Sequence, residues 1–246
     1  MIMPSFWKHV NKVLQEAEIV IEVLDARMVE ETRNFEIEKK IQTLGKKILY
    51  VFNKCDLVDK NKFKRIKSEL KPSVFISSKD KLGTTILKKK ILELSKGNAV
   101  TVGIVGYPNV GKSSLINALS GRGSAKTSSE SGYTKGFQKI RVDAKILLLD
   151  TPGVLPRKEK DVAKHSKTGA LSYGKIKDVE GVALELIEEE KKTILEFYKI
   201  KDSDDPEEVL EQIAFKFNKL SSGGKANLEV AARRLLKDWQ TGKIKS

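Results

Sequence analysis

One segment constrains this chain more than any other. Gly106-Tyr107-Pro108-Asn109-Val110-Gly111-Lys112-Ser113 fits the pattern G-x-x-x-x-G-K-[ST]. It stands directly after the apolar run Val100–Val105 and before a helix-patterned stretch ending near Leu119. A glycine-rich turn between strand and helix lets successive backbone N–H groups curl around a phosphate chain, and the helix N-terminus adds a favourable dipole. The amides of Asn109, Val110, Gly111 and Ser114 are placed to face phosphate oxygens. Lys112 is placed to reach the β- and γ-phosphates, and the Ser113 hydroxyl to ligate Mg2+.

Such a turn needs a sheet whose strands end at the same edge, and the flanking pattern supplies one. The sequence predicts helices over 5–17, 33–44, 61–70 and 85–95, alternating with strands at 19–24, 47–52, 74–77 and 100–105. Two further strands fall near 137–142 and 145–149. Short apolar strands alternating with helices indicate an α/β fold with a mostly parallel sheet covered on both faces. The segment 120–131 is small, polar and glycine-rich, the composition of a loop.

Two more motifs stand at predicted strand ends. Asp150-Thr151-Pro152-Gly153 follows the apolar run ILLL. A carboxylate there can hold Mg2+ through water, and the Gly153 N–H can sense a γ-phosphate. Asn53-Lys54-Cys55-Asp56 follows KILYVF. Here the chemistry selects the base. The Asp56 carboxylate can accept from the N1–H and 2-amino groups of guanine, donors that adenine does not present there. Asn53 can brace the loop and meet the purine N7, while the Lys54 stem packs along the base. A site built for paired bonds rejects a base that lacks them, because its own polar groups would be left unpaired. Ser77-Ser78-Lys79, after the next strand, is placed to add backbone N–H groups toward the guanine oxygen. The four motifs together specify a site for GTP or GDP with Mg2+.

After Gly153 the character changes. Residues 156–177 hold seven basic side chains (Arg157, Lys158, Lys160, Lys164, Lys167, Lys175 and Lys177) against two acids. Helix-spaced apolar residues then run from Val179. A second helix starts at Asp205-Pro206-Glu207-Glu208, a cap with proline in the first turn. A third carries Leu228, Ala231, Leu235 and Trp239, with Lys225, Arg233, Arg234 and Lys237 giving it a basic side. Trp239 reads as core packing, with base stacking as the alternative. The domains expected are a G domain over 1–164 and a small all-α, RNA-binding domain over 165–246.

Charge bears on partners. Lys+Arg of 47 against Asp+Glu of 33 gives a net charge of +14 in 246 residues. Many charges of both signs could be a solvated surface, but an excess of one sign favours a polyanion such as nucleic acid. No apolar run approaches the roughly 20 residues that span a bilayer. The single cysteine, Cys55, agrees with a reducing compartment. These features lead us to expect a cytoplasmic protein without membrane attachment, and a monomer.

The order N-K-C-D, S-S-K, G-x-x-x-x-G-K-S, then D-T-P-G resembles that of circularly permuted GTPases. Over nearly its full length the chain resembles the YlqF/YawG group, whose members act in ribosome assembly. Asp25-Ala26-Arg27 with Thr32-Arg33-Asn34 is similar to the group's D-A-R…R-N signature. Ser131-Gly132-Tyr133-Thr134-Lys135 is similar to its switch segment P-G-x-T, with Ser131 in the place of proline. That alignment implies Thr134 as a Mg2+ ligand, with Thr127 as the alternative. Thr168-Gly169-Ala170, Gly223-Gly224, Ala231-Ala232 and Gly242-Lys243 are similar to the group's C-terminal domain. The resemblance implies a GTP-binding and GTP-hydrolysing assembly factor for the large ribosomal subunit, contacting rRNA. The other reading is a regulatory GTPase switch acting on a protein partner.

Catalysis needs an unusual source here. Many GTPases place a glutamine after D-x-x-G to orient the attacking water. Here Val154 and Leu155 follow, and neither forms such a hydrogen bond. Lys112, Thr134 and Gly153 remain as catalytic groups, with hydrolysis slow alone and raised by a partner. Similar P-loops use the asparagine at Asn109 to hold K+ beside the phosphates, which implies stimulation by K+. The resemblance also points to His9, in Phe6-Trp7-Lys8-His9, as a residue acting in hydrolysis; the open alternatives are helix capping and an RNA contact. His165, in the basic segment, reads as an RNA contact or a solvent-facing residue.

Overall fold

A computed structural model describes residues 4–59, 70–121, 138–151 and 162–245. The chain divides into two compact units, Met1–Lys160 and Asp161–Ser246.

The first unit is built on one sheet. Its strands are β1 (Ile19–Asp25), β2 (Lys47–Asn53), β3 (Ser73–Phe75), β4 (Val100–Gly106), β5 (Gln138–Arg141) and β6 (Ile146–Asp150), in the spatial order β3-β2-β1-β4-β6-β5. All neighbours pair in parallel except β5 with β6, which are antiparallel. Every residue of β1 is buried, as expected of a central parallel strand covered on both faces. From β1 the sheet grows to β2 and β3 on one side, and to β4, β6 and β5 on the other. The order therefore reverses between β1 and β4, and ligands of open α/β sheets bind at the carboxyl edge of such a reversal.

Helix α1 (Pro4–Glu16) covers one face, with Trp7, Val10, Val13, Leu14 and Ala17 packed against Val20, Val105 and Leu149. It lies close because β4 carries Gly103, where an added β-carbon would fall 2.7 Å from Val13 Cγ1 and 3.0 Å from Ala17 Cβ. A short α2 (Val29–Thr32) leads into α3 (Phe35–Thr43), whose Ile37 and Ile41 join the same core. Asn34 caps α3 by accepting from the Ile37 N–H at 3.1 Å. Helices α4 (Thr84–Leu94) and α5 (Lys112–Ser120) follow β3 and β4.

The second unit is helical: α6 (Val162–Lys167), α7 (Val179–Tyr198), α8 (Pro206–Lys216) and α9 (Leu228–Gln240). Asp178, Asp205 and Asn227 cap the last three. Trp239 is 1% exposed and donates Nε1–H to the Lys167 carbonyl at 3.2 Å. It packs in the core. Gln240 beside it donates to the carbonyls of Ser166 (2.7 Å) and Leu171 (3.1 Å), so the end of α9 ties down the segment after α6.

The strands agree with the sequence reading to within one residue at each end, apart from β3, which runs Ser73–Phe75 where 74–77 was expected. Past Phe75 the chain is still bonded: Ile76 N–H donates to Phe52 O at 2.9 Å, and Cys55 N–H to Ile76 O at 3.1 Å. The end of β2 and the turn after it thus remain its partners. Most of the helix expected over 61–70, and the loop over 122–131, lie outside the described residues.

Candidate nucleotide-binding site

Four strand ends carry the motifs. β6, β4, β1 and β2 are consecutive neighbours, and from their carboxyl ends emerge D-T-P-G, the phosphate loop, D-A-R and N-K-C-D. In register, Ile104 faces Asp150, Val23 faces Gly106 and Asp25 faces Asn53. Segments remote in the chain are therefore level at one edge.

The phosphate loop ends at Gly111, with φ +97°, where α5 begins. An added β-carbon at Gly111 would fall 2.3 Å from Asn53 Nδ2, so glycine is needed for both backbone and space. The first turn of α5 leaves N–H groups of Lys112, Ser113 and Ser114 outside the helical ladder, and no acid stands in that turn. Those donors and the helix dipole suit an anion. Lys112 is buried, and its Nζ donates to the carbonyls of Gly106 (3.0 Å) and Tyr107 (2.7 Å). Burial lowers its pKa to about 8, with Asp150 opposing the shift. Asn109 takes a left-handed conformation, φ +60°.

Asp150, at the end of β6, is 1% exposed. Both its carboxylate oxygens are buried without a hydrogen-bond partner among the described residues. Burial raises its pKa to about 6, against the pull of Lys112. Thr151 Oγ1 donates to the Ile104 carbonyl at 2.7 Å and fixes the strand end to β4. An orphaned carboxylate opposite a lysine, with the Ser113 hydroxyl at the start of α5, fits a hydrated Mg2+ beside phosphates. Among the described residues no cluster of three His, Cys, Asp or Glu side chains could hold a metal. Thr134, Thr127, Gly153 and Val154 lie outside the described residues.

The base-recognition loop is joined to the phosphate loop by Asn53. Its Nδ2 donates to the Val110 carbonyl at 2.8 Å, and its Oδ1 accepts from the N–H (3.1 Å) and Oγ (2.8 Å) of Ser78. Lys54 is left-handed (φ 61°, ψ 33°), and its Nζ lies 2.8 Å from Asp25 Oδ2. Burial lowers the Lys54 pKa, with Asp25 holding it up. Burial alone would raise Asp25, but Arg27 and Lys54 overrule it and hold the carboxyl well below the usual range. Asp56 is half-buried, and its carboxylate makes no hydrogen bond or ion pair among the described residues.

The Ser77-Ser78-Lys79 expectation needs correction. The Ser77 N–H donates to the Leu82 carbonyl (3.3 Å), and the Ser78 N–H goes to Asn53. Ser77 Oγ pairs with Asp80 Oδ2 at 2.9 Å. Only the Lys79 N–H of the three has no partner among the described residues. The sequence showed the spacing but not these local bonds, which follow from the tight turn bridging Ser77 and Leu82.

Chain order decides the kind of site: the N-K-C-D motif precedes the glycine-rich G-x-x-x-x-G-K-S motif, yet both stand at one sheet edge. The family model described as RsgA GTPase matches residues 19–157, more than half the chain and across both motifs. The chain belongs to this family of circularly permuted GTPases. The model described as 50S ribosome-binding GTPase matches residues 101–216. The chain is 42% identical, over 96% of its length, to a protein of Methanocaldococcus jannaschii described as a GTP-binding protein, and spans 65% of it. It is 32% identical to nuclear/nucleolar GTPase 2 of Arabidopsis thaliana over 97% of its own length and 43% of that protein. The crystal structure of GNP-bound YlqF from T. maritima superposes with a TM-score of 0.70 at 25% identity, covering 98% of this chain and 95% of that one. The permuted G-domain fold is thereby established.

His9 stands on α1. Glu18 N–H bonds to Thr101 O at the start of β4, and Val13 lies over Gly103. The helix therefore runs toward the phosphate-loop end of β4, and His9 lies one turn, about 6 Å, beyond Val13. Its Nδ1 is buried without a hydrogen-bond partner among the described residues. His165 lies in α6, partly buried.

One buried group escaped the sequence reading. Glu22 of β1 is 0% exposed, and its Oε1 accepts from the Asn34 N–H at 2.9 Å. Glu38, bonded to Arg33 at 2.8 and 2.9 Å, lies near enough to act on it. Burial, helped by Glu38, raises Glu22 to about 8. An acid inside IVIEVL was the available signal, since a strand buried on both faces leaves no solvent side for it.

Among the described residues no helix is long and apolar enough to cross a membrane.

Proposed function

We propose that this protein binds GTP with Mg2+, hydrolyses it to GDP and phosphate, and uses its nucleotide state to control association with the large ribosomal subunit. The observation that carries the nucleotide part is Asn53, whose one amide joins the base loop to the phosphate loop while the Asp56 carboxylate stays open. The ribosomal part is supported by the 50S ribosome-binding description of the matched family, the nucleolar relatives and the +14 charge. The chain spans less than two thirds of those curated relatives, so their activities are an expectation for it.

In this reading Lys112 exchanges its carbonyl partners for the β- and γ-phosphates, where it offsets negative charge. Ser113 and Asp150 hold Mg2+, Asp150 through water, with Thr134 as a further ligand; the ion supplies charge neutralisation when bound. Gly153 senses the γ-phosphate. Val154 orients no water, so hydrolysis alone is slow. Asn109 holds K+ against the phosphates, and His9 serves as the group that orients water. The C-terminal unit over 165–246 contacts rRNA. Its basic side is partly spent internally: Arg233 pairs with Glu229 at 2.8 Å and donates to Tyr173 O at 3.1 Å, and Arg234 lies 3.6 Å over the Phe217 ring. Lys225 is exposed, leaving it available to phosphate.

The test is GTP turnover with purified large or small subunits, in KCl and in NaCl. Stimulation by large subunits, greatest in KCl, is expected. No stimulation by either subunit would defeat the ribosomal reading, and equal rates in the two salts would defeat the role of K+.

A further inference from the structure

We propose that Asp25 is a positioning residue for guanine recognition that acts through Lys54, keeping the lysine ammonium away from the Asp56 carboxylate. The proposal rests on the guanine-nucleotide reading above.

Three observations support it. First, the Asp25 carboxylate is held rigidly. It is wholly buried; its Oδ1 accepts from the backbone N–H (3.1 Å) and Nε (3.0 Å) of Arg27, and its Oδ2 from Arg27 Nη2 at 2.8 Å. The Asp25 N–H is itself bonded to Thr32 Oγ1 at 3.1 Å. Second, this fixed anion reaches the base loop. Asp25 is paired in register with Asn53, one residue before Lys54, and Oδ2 meets Lys54 Nζ at 2.8 Å. Third, Lys54 adopts a left-handed backbone that residues bearing a β-carbon disfavour. Leu57 N–H closes on Lys54 O at 3.0 Å, so Asp56 lies within the turn that Lys54 sets.

Charge gives the arrangement a purpose. Asp56 also attracts Lys54. Were Asp25 absent, Asp56 would be the next anion for this ammonium, and a pair between them would occupy the oxygens that guanine needs. With Asp25 in place Lys54 is already compensated. Asp56 then presents its lone pairs to the base, and the lysine stem stays extended beside it. A site preorganised in this way loses less freedom on binding.

The experiment measures affinity for a fluorescent GDP analogue in the wild type, Asp25→Asn, Lys54→Met and the double variant, with inorganic pyrophosphate as a competitor that touches only the phosphate loop. Methionine keeps the stem and removes the ammonium. Asp25→Asn is expected to weaken GDP about tenfold in the wild-type background and no further in the Lys54→Met background, because without the ammonium nothing competes for Asp56. Pyrophosphate affinity is expected to stay within about twofold of the wild type. A loss of about tenfold from Asp25→Asn that persists in the Lys54→Met background, GDP and pyrophosphate weakening in parallel, or unchanged GDP affinity in Asp25→Asn would each overturn the proposal. Thermal melting without nucleotide reports folding. If Asp25→Asn fails to fold, Arg27→Gln with Asp25→Asn replaces it in the same cycle, since removing both members leaves no buried charge unpaired. A wild type that does not prefer GDP to ADP would defeat the nucleotide reading itself, a separate outcome.

Discussion

Asn53 Nδ2 donates to the Val110 carbonyl at 2.8 Å, bonding the base-recognition loop to a phosphate loop 57 residues further along the chain. The two motifs rise from β2 and β4, with β1 between them. Strand spacing alone sets their roots roughly 10 Å apart, so a side chain must close the gap. Permutation alters which motif is made first, and this bond shows that their meeting place is kept.

Asn53→Ala would leave the Val110 carbonyl and the Ser78 donors without this partner. Unliganded stability should fall by about 2 kcal/mol, and GDP affinity about a hundredfold. Urea unfolding and fluorescent-nucleotide titration measure the two effects. A stability loss with GDP affinity unchanged would contradict the bridging role.

Gly111→Ala places a β-carbon where Asn53 Nδ2 stands, at a φ of +97°. The strain and the displaced bond should cost about 2–4 kcal/mol and abolish measurable nucleotide binding. Isothermal titration with GDP checks this, and near-normal affinity would show that the loop relaxes freely.

Nucleotide binding should have two pH limbs. The unliganded Asp150 is raised to about 6 and Lys112 lowered to about 8, while Mg2+ and phosphate need the carboxylate and the ammonium. Below about 6 a proton must leave Asp150 on binding, and above about 8 one must be taken up by Lys112, so affinity falls in both directions. Titrations with Mg2+ and GDP from pH 5 to 9 should give a maximum between these limbs. Asp150→Asn should flatten the acid limb and, by removing the anion that holds Lys112 up, move the alkaline limb to lower pH.

Glu22 predicts a pH effect on stability. Its folded value is raised to about 8 from 4.5, so its contribution is full below 4.5 and is lost as pH rises toward 8. Glu22→Gln removes that dependence. Between pH 5 and 9 the wild type should lose about 4 kcal/mol more than the variant in urea unfolding. Equal losses would mean that Glu22 ionises freely in the fold.

Much of this architecture was legible from the chain. The apolar runs ending at Asp25, Asn53, Gly106 and Asp150 located four strand ends, and with them the D-A-R, N-K-C-D, phosphate-loop and D-T-P-G motifs, because a parallel sheet brings such ends together. Asp205-Pro206 named a helix start that the structure reproduces. Asn53's bond to Val110 was not legible, since it depends on β1 standing between β2 and β4. Nor was the use of the Ser77 and Ser78 N–H groups, which a local turn decides. Glu22 was passed over because periodicity places a residue on a face without saying what it meets there.

The most direct test of the central claim is co-sedimentation of the protein with ribosomal subunits in KCl, comparing a non-hydrolysable GTP analogue with GDP. The account predicts binding to the large subunit with the analogue and release with GDP. Failure to bind the large subunit in either state, with GDP binding itself intact, would contradict it.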